Sequence, residues 1–125
     1  MSMENLNKRE LGALIERKTA ELLKKEGYII KERNFRTRFG EIDIVAFDPA
    51  GNIIVFVEVK AKELSSGIHP FEAVDETKQR RIIMAAKEYA AMRRIEGCYM
   101  RFDVVGVVLD SGKISSVEIA RDAFQ

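Results

Sequence analysis

The chain has 125 residues, 46% of them hydrophobic and 33% charged, with 8 Gly and 2 Pro, which fits one folded domain and excludes a disordered or fibrous polymer. A net charge of +1 argues against a phosphate-binding surface spread over the whole molecule, and the single cysteine, Cys98, has no partner for an intramolecular disulfide. No apolar run approaches the roughly 20 residues a bilayer span requires, and no signal-peptide pattern opens the chain, so a cytoplasmic location without a membrane partner is expected.

From about Asn7 to Glu26, the residues Leu11, Leu14, Ile15, Leu22 and Leu23 recur at helical spacing, and Gly27 supplies a stop. Glu16 falls about 100° around the helix from the Leu11, Ile15, Leu22 stripe, at the edge of the buried face. Tyr28, Ile29 and Ile30 begin a short strand that runs into the basic stretch Lys31, Arg33, Arg36 and Arg38. Two further strands, about Glu41 to Phe47 and Ile53 to Ala61, are joined by the turn residues Asp48, Pro49, Ala50, Gly51 and Asn52. After a looser segment from Lys62 to His69, Pro70 opens a second helix that runs to about Ile95 and is closed by Gly97. Its buried stripe, Ile82, Ala85, Ala86 and Tyr89, is preceded in line by Lys78. Two last strands, about Met100 to Leu109 and Ile114 to Ile119, flank the turn Asp110, Ser111, Gly112. This order predicts an α/β fold in which one mixed sheet carries a helix on each face.

The two central strands carry the unusual chemistry. Side chains alternate along a strand, so Ile42, Ile44 and Ala46 share a core face with Ile53, Val55, Val57 and Val59. The opposite face reads Phe47, Val45, Asp43, Glu41 on one strand and Ile54, Phe56, Glu58, Lys60 on the other. A register that sets Phe47 opposite Ile54 brings Asp43 to Glu58 and Glu41 to Lys60, whereas a shift of two residues pairs Asp43 with Lys60. The sequence leaves both registers open. Like charges facing each other destabilise a sheet unless a cation shares them. Two carboxylates with carbonyl and water oxygens suit a hard ion such as Mg²⁺ or Mn²⁺. Lys60 beside them would orient an attacking water or stabilise charge on a scissile phosphate. The plainer alternative is a charged rim on a structural sheet.

Asp43 followed after a hairpin by Glu58-Val59-Lys60 resembles the PD-(D/E)xK nuclease motif, with Ile42 in place of the usual proline. The blocks "GEIDIVA", "FVEVK", "EAVDETKQRRI" and "RFDVV" are similar to the bacterial YraN-like family, itself similar to archaeal Holliday junction resolvases, from about Gly12 to Val108. The resemblance implies a restriction-endonuclease-like αβββαβ core, metal ligation by Asp43 and Glu58, Lys60 as the catalytic lysine, and Glu16 as the first-helix acid of the site. It implies a Mg²⁺-dependent (or Mn²⁺-dependent) endonuclease acting on DNA, with branched DNA as the first substrate to try. Symmetric cutting of a junction would call for a homodimer.

Arg36, Arg38, Lys78, Gln79 and Arg81 are the candidates for gripping the DNA backbone. Arg101 and Asp103 lie on one face of their strand and read as a structural ion pair, and Glu41 as a partner for Lys60. His69 sits in a loop, where solvent exposure is expected, and Cys98 reads as a small, partly buried residue. No Ser/His/Asp or Cys/His set, zinc spacing or phosphate-binding glycine loop is present in the sequence. A second reading keeps the same fold as a non-catalytic nucleic-acid-binding module.

Overall fold

The computed structural model describes residues 6–125. Helix α1 (Lys8–Lys25) leads into strands β1 (Ile29–Thr37), β2 (Gly40–Asp48) and β3 (Ile53–Glu63). Two short 3₁₀ turns, Leu64–Ser66 and Pro70–Ala73, precede helix α2 (Glu76–Met92), and β4 (Tyr99–Asp110) and β5 (Lys113–Phe124) complete the chain. The strands form one sheet in sequence order, parallel at β3–β4 and antiparallel at the other three ladders. This is a mixed five-stranded α/β fold with two helices, consistent with a restriction-endonuclease-like core.

Local chemistry sets the ends of α1. The Asn7 side chain accepts from the Glu10 amide at 2.8 Å while the Glu10 carboxylate accepts from the Asn7 amide at 3.2 Å, a reciprocal cap of two otherwise unpaired donors. At the other end Gly27 adopts a φ of +89°, and the amides of Gly27 and Tyr28 return to the carbonyls of Lys24 and Leu23. That turn delivers Tyr28 into the same apolar layer as Leu23.

The helices take opposite faces of the sheet. Leu23 of α1 packs with Ile44, Ala46, Val55, Val57, Val105 and Val107. Ile82, Ala85, Ala86 and Tyr89 of α2 pack with Val45, Ile54, Phe56, Phe102 and Val104, so β3 and β4 are covered on both sides.

Four boundaries differ from the sequence reading. The single helix expected from Pro70 is interrupted at Val74 (φ −93°, ψ +85°), and Asp75 starts α2 afresh by accepting from the Lys78 amide at 2.8 Å. Arg94, at φ +52°, takes the left-handed position that ends α2, with the Ile95 amide returning to the Ala90 carbonyl, so Gly97 belongs to the following turn. Strand β1 continues to Thr37, and β5 extends to Phe124, whose ring stacks on Phe102 at 5.1 Å.

The β2–β3 register sets Phe47 opposite Ile54 and Val45 opposite Phe56, as the first of the two registers requires. The ladder stops at Ile44–Val57. Ile42, expected on the face of Ile44 and Ala46, packs instead in the α2-side layer with Val45. The change of face falls at Asp43. On the neighbouring strand, Arg33–Ile44 and Phe35–Ile42 bracket Asn34, which holds a left-handed φ of +53°. Asparagine tolerates that conformation better than most residues, and the kink it allows turns Asp43 out of strict alternation.

Candidate active site

Where the β2–β3 ladder opens, the Asp43 carboxylate replaces it, accepting a hydrogen bond from the Val59 amide at 2.7 Å. Glu58, only 5% exposed, lies against Asp43. Burial raises its carboxyl pKa from 4.5 to about 8, helped by a hydrogen bond to Asp43 and by that neighbour's charge, against the opposing pull of Lys78. The sheet thus brings Asp43 and Glu58 together as the sequence reading required, through side chains and not as a backbone pair.

Lys78 reaches the pair from the first turn of α2, with Nζ 3.2 Å from Glu58 Oε2. The cation that starts the α2 stripe therefore touches an acid of the site. Lys60 is half-buried on the Glu58 face of β3, opposite Gly106 of β4, and among the described residues it forms no ion pair. The expected Glu41–Lys60 pair is replaced by Glu41 with Arg36, at 3.8 Å, because Glu41 pairs with Arg36 across the β1–β2 ladder.

Glu16 opens on a cleft of about 220 Å³ between α1 and the sheet, which Asp43 also lines with Asn34, Thr19, Ile44 and Val59. Its carboxylate sits 3.6 Å from Arg33. Glu16 and Asp43 thus meet in one cavity, while Glu58 and Lys78 close the other side of Asp43. Among the described residues no group of three or more His, Cys, Asp or Glu side chains is arranged to hold a metal ion. The donor set near Asp43 is a carboxylate pair.

The other candidates are dispersed. Arg36 is 86% exposed; Arg38 lies 3.8 Å from Glu88 and stacks over Phe39. Arg81 is exposed on α2, and Gln79 donates its side-chain amide to the Val74 carbonyl at 2.9 Å, bracing the break before α2. His69, expected in solvent, is half-buried and caps the second 3₁₀ turn by accepting from the Phe71 amide at 3.2 Å.

Arg101 and Asp103 form the expected ion pair, at 2.9 Å, and Tyr28, absent from the sequence candidates, is its third member. The Tyr28 hydroxyl donates to fully buried Asp103 at 3.1 Å and accepts from Arg101, and burial with the Asp103 charge pushes Tyr28 up to about 12. This network ties the end of α1 to β4 on the face away from Glu58. Thr19 and Asn34, absent from the sequence candidates, also line the Asp43 cleft. A signal for Thr19 existed: it lies four residues after Ile15, a hydroxyl on an otherwise apolar helical stripe.

No described helix is long and apolar enough to cross a membrane. Residues 15–107 match the model of the Uncharacterised protein family UPF0102. A UPF0102 protein of Caldicellulosiruptor saccharolyticus is 42% identical over 120 residues, covering 95% of this chain and 100% of its own length. One from Dictyoglomus thermophilum is 41% identical over 121 residues, with the same coverages of 95% and 100%. One from Persephonella marina reaches 46% identity over 93 residues, 74% of this chain and 78% of its own. The sequence blocks, the matched span and the two relatives that cover 95% of this chain agree: the chain belongs to the UPF0102 family, the YraN family of the sequence resemblance.

Proposed function

We propose that the protein is a divalent-cation-dependent endonuclease that hydrolyses DNA phosphodiester bonds, with Asp43 and Glu58 holding Mg²⁺ or Mn²⁺. The observation that carries this reading is the carboxyl pair itself, in which Glu58 is pushed up to about 8 by burial and by Asp43. Two such groups in contact at neutral pH need a proton or a cation between them. The donor set fits a hard ion: both ligands are oxygens, and a magnesium-like ion retains several waters, so two carboxylates suffice as its protein ligands. When bound, the ion supplies positive charge against the charge that builds on the phosphate.

Lys60 contributes from the Glu58 face of β3, about 6–7 Å along the strand, where its ammonium orients the phosphate and stabilises the developing oxyanion. Lys78 exchanges Glu58 for a phosphate oxygen as substrate enters. Glu16 accepts a proton from the cleft side, and Arg36, Arg38, Gln79 and Arg81 meet the DNA backbone. Branched DNA is the substrate of first choice, and a homodimer would set two sites on one junction.

The test is cleavage of linear, flapped and four-way DNA with and without Mg²⁺ or Mn²⁺, alongside Asp43→Ala and Lys60→Ala. Cleavage is expected only with the ion, falling about 100-fold or more in each variant. Variants as active as the parent would remove these residues from the site. One observation favours a second reading, a non-catalytic nucleic-acid-binding module: Lys78 already supplies Glu58 with a protein cation at 3.2 Å. DNA binding with steep salt dependence and no cleavage under any metal supports that alternative.

A further inference from the structure

One buried polar group has no part in that chemistry. Thr19 is 0% exposed, and among the described residues its Oγ1 has no hydrogen-bond partner. A buried threonine inside a helix can return its hydroxyl to the carbonyl one turn back; leaving it unpaired carries a desolvation penalty that a bound molecule would remove. Thr19 lines the cleft of about 220 Å³ that also contains Glu16 and Asp43. Its position three residues after Glu16 and four after Ile15 places all three on one side of α1.

Gly12 continues that row, and a Cβ built there would meet nothing within 4 Å among the described residues. Packing does not require a glycine at this point, and its missing side chain leaves the cleft clear. A cavity of this size accommodates several waters, each taking about 30 Å³ in the liquid, and a held water needs two or more polar partners. The Thr19 hydroxyl and the Glu16 and Asp43 carboxylates provide them.

We propose that Thr19 is a positioning residue for the hydrolytic water, fixing it between Glu16 and Asp43. This rests on the nuclease reading. In the step, the water oxygen forms the new bond to phosphorus and the ester bond to the leaving sugar oxygen breaks. One water proton passes to the Glu16 carboxylate, and the leaving oxygen takes a proton from solvent. Arg33, 3.6 Å away, is the ion-pair partner of Glu16 at this edge of the cleft.

Thr19→Val removes the hydroxyl at nearly constant volume, and Thr19→Ser restores it. For cleavage of four-way DNA in Mg²⁺, kcat is expected to fall about tenfold in Thr19→Val with KM unchanged, and to return to within about twofold of the parent in Thr19→Ser. A melting temperature at or above the parent's shows that Thr19→Val still folds. Equal kcat in Thr19→Val and parent overturns the proposal. A high-resolution crystal structure of the metal-free parent is the second readout. It is expected to show an ordered water bonded to both Thr19 Oγ1 and a Glu16 or Asp43 oxygen; a dry cleft, or Oγ1 donating to the Ile15 carbonyl, overturns it. If the parent cuts no DNA, the hydrolytic role falls with the nuclease reading, and the crystal still decides whether Thr19 holds a water.

Discussion

Ionising Glu58 in the metal-free protein works against the fold. Its carboxyl is raised from 4.5 to about 8, by burial first and then by Asp43. A group whose folded pKa lies above its unfolded one stabilises the fold while protonated. That contribution is complete below 4.5 and is lost as the pH rises through about 8. Glu58→Gln retains the shape and a hydrogen-bond donor toward Asp43 while removing the ionisation. Between about pH 5 and pH 9 the metal-free parent is expected to lose on the order of a few kcal/mol from this group, a melting shift of about 5 °C or more. Glu58→Gln should lose much less, and excess Mg²⁺ should restore the parent selectively at the alkaline end. Differential scanning calorimetry across that range decides it, and a parent whose stability climbs no less than the variant's would show that Glu58 ionises freely.

At the scale of elements, the site depends on how a short turn sits on the sheet. Gly106 of β4 lies beside Lys60 of β3, and a Cβ there would come within 2.8 Å of Phe71 Cε1 and 3.1 Å of Pro70 Cβ. The 3₁₀ turn Pro70–Ala73 therefore rests directly on the backbone at the level of Lys60, and it leads through Asp75 into the helix that carries Lys78. Gly106→Ala should push this turn away and cost about 1–3 kcal/mol in urea denaturation, with partial recovery when Phe71→Leu is added. Unchanged stability would mean that the turn yields without strain. The order of elements was legible because helical and strand periodicities are separated by strong turn residues. Less legible were the places where one signal competed with another. Pro70 is a good helix start but opens only a 3₁₀ turn, because Asp75 caps a better one five residues later. Gly97 does hold a positive φ of +75°, yet α2 ends earlier, where Arg94 also turns left-handed and the Ile95 amide bonds to the Ala90 carbonyl. Strict alternation placed Asp43 and Glu58 on one face but could not foresee the kink at Asn34, which depends on a partner strand. The carboxyl pair could be read from the sequence; the cleft behind it, with Thr19, arises only when α1 docks.

Over the whole molecule, 21 Lys and Arg face 20 Asp and Glu, and the near balance is repeated locally. Arg33 sits with Glu16, Arg36 with Glu41, Arg38 with Glu88, Lys78 with Glu58 and Arg93 with Glu32. A phosphate backbone approaching these five cations competes with the protein's own acids for each of them. Affinity for DNA should accordingly be modest and its salt dependence shallow, which also limits non-specific retention on duplex DNA. Arg36 isolates the effect, because it is 86% exposed and its pair with Glu41 is long at 3.8 Å, so neither partner matters much to stability. Glu41→Gln frees Arg36 and raises the formal charge by one. Without divalent ions, it should tighten binding to four-way DNA a few-fold at low salt and leave the melting temperature unchanged. Arg36→Ala should weaken binding and lower the slope of log affinity against log salt by about one. Fluorescence anisotropy over a NaCl series measures both quantities. Identical slopes in the parent and Arg36→Ala would take this end of the β1–β2 hairpin off the DNA-facing surface and leave the α2 side, with Lys78 and Arg81, as the approach.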